Sequence, residues 1–308
     1  MTSVLYDVPG PRAIIRNRIL AVLTVLLVLG VLAFVIFRFA ATGQFTAEKW
    51  YVFSFGAVWV GIGQALGATL AAFGAAAVGS LILGFVLAIG RVSDHAGVRV
   101  PVAGVTEVFR AVPVLVFMML LFYGLPTIGL RMPPYWAVVI ALIVYNGSVL
   151  AEVLRAGIES LPRGQREAAY AIGLRKSGAL RLVLLPQAVR AMLPVIVAQL
   201  VVTLKDTALG FIITYPELLY YAKRLMGQSG RPILPSIIII GAIYIAMCLV
   251  LSGVAKWLEI RTRHSPRGGV PPTITRADAA AHDITTTQLI ATQKTNPGRD
   301  GFGTIFRP

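Results

Sequence analysis

Long apolar runs separated by short polar connections occupy most of this chain. Runs of about the 17 to 25 residues that cross a bilayer as helix can be read at Ile19 to Phe37, Ala65 to Ile89, Ala111 to Leu125, Pro134 to Leu154, Met192 to Thr214 and Ile233 to Leu258. The pattern predicts an all-α, polytopic membrane helical bundle with six spans. The third run is the shortest and contains Pro113, so its start is placed further back, near Val105. The first run follows Arg12, Arg16 and Arg18, as the apolar part of a signal peptide would. It is too long for one, and no clear small-residue cleavage site follows Arg38, so it reads as a retained helix. On the second run Gly63, Gly67, Ala71, Ala75 and Gly79 recur at every fourth position. Such a flat face of small side chains is expected to pack closely against a neighbouring helix.

Composition agrees with the pattern. Hydrophobic residues make up 57% of the 308 and charged residues 13%, about half the roughly 25% of a soluble domain, which argues against a soluble globular protein. The net charge of +15 could mark a nucleic-acid surface or the loops on one side of a membrane. Its distribution decides between them. With the N-terminus inside, the inner set comprises Arg12, Arg16 and Arg18; Arg91, Arg99 and Arg110; the seven Lys and Arg from Arg155 to Arg190; and Lys256, Arg261, Arg263 and Arg267. The outer set is Arg38, Lys49, Arg131, Lys223, Arg224 and Arg231. Seventeen basic residues against six place both termini in the cytoplasm. A lone cysteine, Cys248, and three scattered histidines, His95, His264 and His282, show no ligand spacing, so no metal or redox site is expected.

Residues 1–60 read as a cytoplasmic lead-in, the first span and an outer loop, and residues 61–261 as the core. From Ser265 to Pro308 the sequence turns to Pro, Gly, Thr and Ala without helical or strand period, which predicts a disordered cytoplasmic tail.

The inner connection from Arg155 to Ala191 is too long to be a simple helix link. Within it Glu167-Ala168-Ala169 is followed after three residues by Gly173, and after nine more by Val183-Leu184-Leu185-Pro186. Arg166 to Ile172 favours a short helix with a small-residue side, with Gly173 as its stop and Pro162, Gly164 and Pro186 limiting its length. This spacing resembles the EAA motif of the membrane subunits of bacterial ABC importers, with Val183 at the usual Ile position. The resemblance implies that Gly164, Gln165, Glu167, Ala168, Ala169, Gly173 and Pro186 form the seat for a partner ATPase. Glu107 to Pro113, Tyr145 through Glu152 to Ser160, Leu185-Pro186-Gln187-Ala188, Leu193-Pro194 and Lys205 to Leu209 are similar to the polar amino-acid permeases of that family. The likeness covers roughly residues 61–261. It implies a five-helix core beside the extra first helix, two cytoplasmic ATPase subunits that bind ATP and Mg, a second permease subunit and an extracytoplasmic binding protein. It also implies a place in the bacterial plasma membrane. Val4 to Pro11 resembles the start of actinobacterial glutamate-uptake permeases, which makes glutamate the expected substrate. The extra helix favours a heterodimer of permeases over a homodimer.

Charges inside the spans narrow the candidate sites further. Lys205 and Asp206 fall in the fifth run, where a charge at the bilayer centre costs roughly 2.5 to 3.5 kcal/mol on insertion scales. They must face protein or water, and being adjacent they point about 100° apart on a helix, so they need separate partners unless the helix breaks there. Lys205, Asp206, Thr207 and Asn146 are expected to line a substrate pathway, an ammonium meeting a substrate carboxylate. Glu107 with Arg110 and Glu152 with Arg155 are spaced to meet on one helix face, and form a candidate gate or bracing cluster available to those charges. The chain lacks the Gly-rich phosphate loop of an ATPase, so it is not expected to be an enzyme. The alternative, an ion-gradient-driven secondary transporter of small polar solutes, would ordinarily show paired repeats, which are not evident.

Overall fold

The spacing of apolar residues is realised as helix throughout the described part of the chain. The structure is a computed structural model that describes residues 10–228 and 230–263. The Val4 to Pro9 part of the N-terminal resemblance and the tail from Ser265 to Pro308 lie outside the described residues.

In chain order the principal helices are α1 (Pro11–Ala41), α2 (Gly56–Arg91), α3 (Ala96–Ala111), α4 (Val114–Met119), α5 (Pro134–Glu159), α6 (Arg163–Ala171), α7 (Leu185–Asp206), α8 (Leu218–Met226) and α9 (Ile233–Arg263). Among the described residues, five helical stretches are long and apolar enough to cross a membrane, and the α3–α4 pair makes a sixth if its two arms are taken as one span. The all-α bundle with an N-terminal helix before a core is therefore observed. At about 1.5 Å per residue, the 36 residues of α2 extend about 54 Å, well beyond a hydrocarbon layer of about 30 Å. Its last residue, Arg91, can thus stand clear of the lipid.

The centre of the bundle is α5, the most buried of the spans. It lies along α2 at glycine-mediated close approaches. A Cβ on Gly84 would stand 2.8 Å from the Leu150 Cβ and 3.1 Å from the Gly147 carbonyl oxygen, while one on Gly147 would meet Leu83 at 3.0 Å. Ala72, Ala76, Ala137, Ala141 and Leu142 of these two helices join Met118 and Ile213 in the core. Since backbone and Cβ atoms cannot swing aside, Gly84→Val is expected to destabilise the permease by about 1 to 3 kcal/mol. A lowered unfolding midpoint in detergent checks this.

Two expectations are corrected. The first half of the small-residue face on α2 does not form the contact within this chain: Gly63, Gly67 and Ala71 are exposed, and nothing lies within 4 Å of a Cβ built on Gly63 or Gly67. The buried stripe is instead Val58, Ile62, Ala65, Thr69, Ala72 and Ala76, spaced alternately four and three, which keeps one face of a helix towards a partner. Ala75, packed against the core, and Gly79, against Ile143, carry the second half of the small-residue face into the contact. The third span does not run straight back to Val105. Proline disfavours helix in the residue before it, and at Val112-Pro113 the backbone is extended, so α3 and α4 meet at 93°.

Candidate functional site

The long connection after α5 folds around a short helix, α6, which runs over Arg163–Ala171 where Arg166 to Ile172 was expected. Pro162 starts α6, and the helix ends in a Schellman turn: Gly173 N–H donates to the Tyr170 carbonyl at 2.9 Å, and Leu174 N–H to the Ala169 carbonyl at 3.1 Å. Gly173 takes φ +80°, a left-handed conformation that glycine alone adopts without strain. Gln165 and Ala169, four apart, face the rest of the chain. Ala169 is buried, and Gln187 of α7 donates to the Gln165 side-chain oxygen at 3.1 Å. The other side of α6 presents Gly164, Glu167 and Ala168 to solvent, and Ile172 just beyond it is 76% exposed. Pro186 stands at the second position of α7, directly after a π-helical turn over Ala179–Leu184. Such wide turns accommodate groups that would clash within an α-helix.

Beside α6, the ends of α2, α3 and α5 are joined by ion pairs. Arg91 is the hub. Its guanidinium reaches Glu107 at 3.2 Å and Glu152 at 3.2 Å with its side chain only 11% exposed. Arg110 lies 3.5 Å from Glu107 and 3.8 Å from Glu152, and Arg155 pairs with both Glu152 and Glu159. The four residues expected to cluster are brought together. Arg91 and Glu159 complete the set, and sequence reasoning missed them as members because Arg91 is 16 residues from Glu107, beyond the reach of helical spacing. A second tie joins Lys176 to Asp94 in the α2–α3 connection. The Lys176 ammonium holds the Asp94 carboxyl below the usual carboxylate range. This tie contributes above the ordinary carboxylate pKa and is lost as pH falls through the lowered one.

The expected pathway residues separate into two environments. Asn146 and Thr207 are fully buried and satisfied within the protein. Asn146 donates to the Leu142 carbonyl at 3.1 Å and accepts from Gln199 at 2.7 Å, and Thr207 donates to the Leu204 carbonyl at 2.6 Å. Lys205 is exposed and Asp206 half-buried. The Glu and Arg cluster does not partner them, and among the described residues neither makes an ion pair. Lys205 borders a groove of about 390 Å3 with Ala208, Tyr244 and Cys248. The helix does change there, from α to 3-10 at Thr207.

Sequence reasoning also missed Glu217, the fully buried residue before α8. Its carboxylate accepts from the Leu219 and Tyr220 N–H groups at 2.7 Å each and from the Tyr244 hydroxyl at 2.6 Å, so it caps α8 and ties it to α9. Thr69 of α2 accepts from Leu218 N–H at 3.2 Å beside it. An acid directly after Pro216 and before Leu218-Leu219 is a helix-start signal that could have revealed it.

Residues 80–264 match the family described as the binding-protein-dependent transport system inner membrane component. The chain is 36% identical over 228 residues to the glutamate transport system permease protein GluD of Corynebacterium glutamicum, covering 73% of this chain and 83% of that one. It is also 36% identical over 162 residues to the probable glutamine ABC transporter permease protein GlnP of Bacillus subtilis, covering 52% and 74%. A crystal structure of an amino acid ABC transporter with histidines superposes with a TM-score of 0.64 at 29% identity, over 70% of this chain and 99% of that one. The inward-facing MetNI methionine ABC transporter, at 16% identity with a TM-score of 0.58 over 68% and 99%, shares the fold.

The chain therefore belongs to the inner-membrane components of binding-protein-dependent transport systems, and it is a multi-pass membrane protein. More narrowly, it is a permease subunit of an ABC importer of the amino-acid type. Such a subunit is not itself catalytic and carries no cofactor, and it works in an assembly with ATPase subunits and a binding protein. Membership of this family displaces the secondary-transporter alternative.

Proposed function

We propose that this permease takes up glutamate into a bacterial cell by alternating access. The observation that carries the substrate is the 36% identity, over most of both chains, to a glutamate permease. In this reading both termini are cytoplasmic, residues 61–261 are the permease core, and residues 1–60 add a lead-in, the extra first helix and an outer loop. Among the described residues of helix α1, Arg12–Ala41, none is buried, which leaves it free to pair with lipid or with a second, different permease. Two cytoplasmic ATPase subunits would seat α6 through Gly164, Glu167, Ala168 and the residues around Gly173. Closing those subunits on ATP would draw the paired loops together and turn the bundle from inward-open to outward-open. The exposed Ile172 beside the polar face of α6 supports such a seat, since a large apolar residue left in water gains from being covered.

The Arg91 cluster ties α2, α3 and α5 on the same side as α6, and would hold the inner gate. Lys205 would attract a substrate carboxylate, with Asp206 answering an α-ammonium. Asn146 and Thr207, being satisfied within the bundle, would shape the pathway wall and not bind substrate. Competition of labelled glutamate uptake by unlabelled glutamate, aspartate, glutamine and arginine tests the substrate. Glutamate should compete best, and stronger competition by arginine would overturn it. Lys205→Ala is expected to raise the uptake KM about tenfold, the loss of about 1.4 kcal/mol, without altering assembly. Unchanged uptake by that variant removes Lys205 from the pathway.

A further inference from the structure

Behind α6, on the side away from its exposed Glu167 and Ala168, lies a cavity of about 220 Å3 between the α2–α3 connection, the end of α5 and the Lys176 turn. Its wall is rich in cations. Arg91, Arg99, Arg166 and Lys176 line it against two carboxylates, Asp94 and Glu159. Both carboxylates are already engaged, Asp94 by Lys176 and Glu159 by Arg155, and Arg91 is spent on Glu107 and Glu152. Arg99 and Arg166 have no ion pair among the described residues, although they border one cavity from two different elements, α3 and α6. Both are exposed, and Asp94, which attracts Arg99, is already engaged by Lys176, so an anion entering the cavity would meet two guanidinium groups with no close carboxylate of their own. The Ser93 and Tyr170 hydroxyls, which also line the cavity, add neutral hydrogen-bond donors.

We propose that this cavity binds a phosphate group, with Arg99 and Arg166 as its two principal ligands and Tyr170 and Ser93 completing the donor set. The planar fork of arginine suits phosphate oxygens bidentately, and the volume is several times the roughly 30 Å3 that one water takes up in the liquid. On the cytoplasmic orientation proposed above, the cavity lies near the headgroup layer of the inner leaflet. A basic pocket at helix ends there is suited to an anionic phosphodiester headgroup, and the same donors would accept a soluble phosphate. Occupancy would staple α6 to α3 and so stiffen the helix proposed to meet the ATPase.

The test uses the purified transporter complex in detergent and reads its unfolding midpoint during titration with short-chain phosphatidylglycerol, short-chain phosphatidylcholine or inorganic phosphate. Binding to the folded state alone raises the midpoint, and a shift of at least about 2 °C is expected with phosphatidylglycerol. Phosphatidylcholine, whose headgroup is neutral overall, should give less. A comparable shift with inorganic phosphate identifies a soluble ligand, and a shift with phosphatidylglycerol alone identifies the lipid. Arg99→Gln, and separately Arg166→Gln, should remove most of the shift, while Arg190→Gln, an equal charge change outside the cavity, should keep it. No shift with either phosphate probe overturns the proposal. So does a shift that survives both cavity variants, or one that Arg190→Gln reduces equally. Glutamate uptake measured in parallel keeps this outcome separate from that of the transport reading.

Discussion

Gly173→Arg is expected to cut ATP-driven uptake more than tenfold while leaving the complex assembled and still able to hydrolyse ATP. Nothing lies within 4 Å of a Cβ built on Gly173, so the substitution does not overfill a core. Its cost is conformational. At φ +80° an L-residue loses about 1 to 2 kcal/mol, and the turn that accepts the Gly173 and Leu174 N–H groups is the C-terminal end of α6. Relaxing that strain re-aims the last turn of the helix and Ile172 beside it. A long cation is added to the face proposed to meet the ATPase. Hydrolysis and uptake measured side by side in proteoliposomes check this, and full uptake by Gly173→Arg would falsify the docking assignment. Gly173→Asn separates backbone from bulk. Asparagine tolerates the left-handed region better than other side chains, so that variant should retain a large part of the uptake.

The helices were legible because burial in lipid demands long apolar runs, and α2, α5, α7 and α9 lie where those runs are. The 93° bend was half legible, since Pro113 marked trouble but only packing decides whether a proline kinks one helix or separates two. The first half of the small-residue stripe misled for a physical reason. Alanine and glycine at every fourth position state that something can approach, not that this chain supplies it, and Gly63 and Gly67 point away from the bundle. The end of α6 was legible because Gly173 is a backbone requirement written directly into the sequence, whereas its start lies at Arg163, three residues before the Arg166 expected. The ion cluster was legible only within helices, where i, i+3 spacing puts Glu107 near Arg110 and Glu152 near Arg155. Its hub is contributed by a third helix. Lys205 and Asp206 stand out as charges in an apolar run, but among the described residues neither pairs with the clusters that spacing suggested.

Arg91→Ala is expected to have the second large effect. Arg91 is the least exposed member of its cluster and alone joins α2 to both α3 and α5 by charge. Removing one partner of a buried ion pair costs about 3 to 5 kcal/mol, but Glu107 is 59% exposed and can rehydrate, so about 2 kcal/mol is a better expectation here. If the cluster holds the inner gate closed, a loss of that size shifts the open-to-closed ratio about 30-fold. Uptake per ATP hydrolysed should then fall, whereas a purely bracing cluster would lower the unfolding midpoint and leave that ratio intact. Arg91→Lys refines the test. An ammonium keeps the charge but lacks the fork that lets separate nitrogens of one guanidinium bond to Glu107 and Glu152 at once, so lysine should restore stability more fully than it restores coupling.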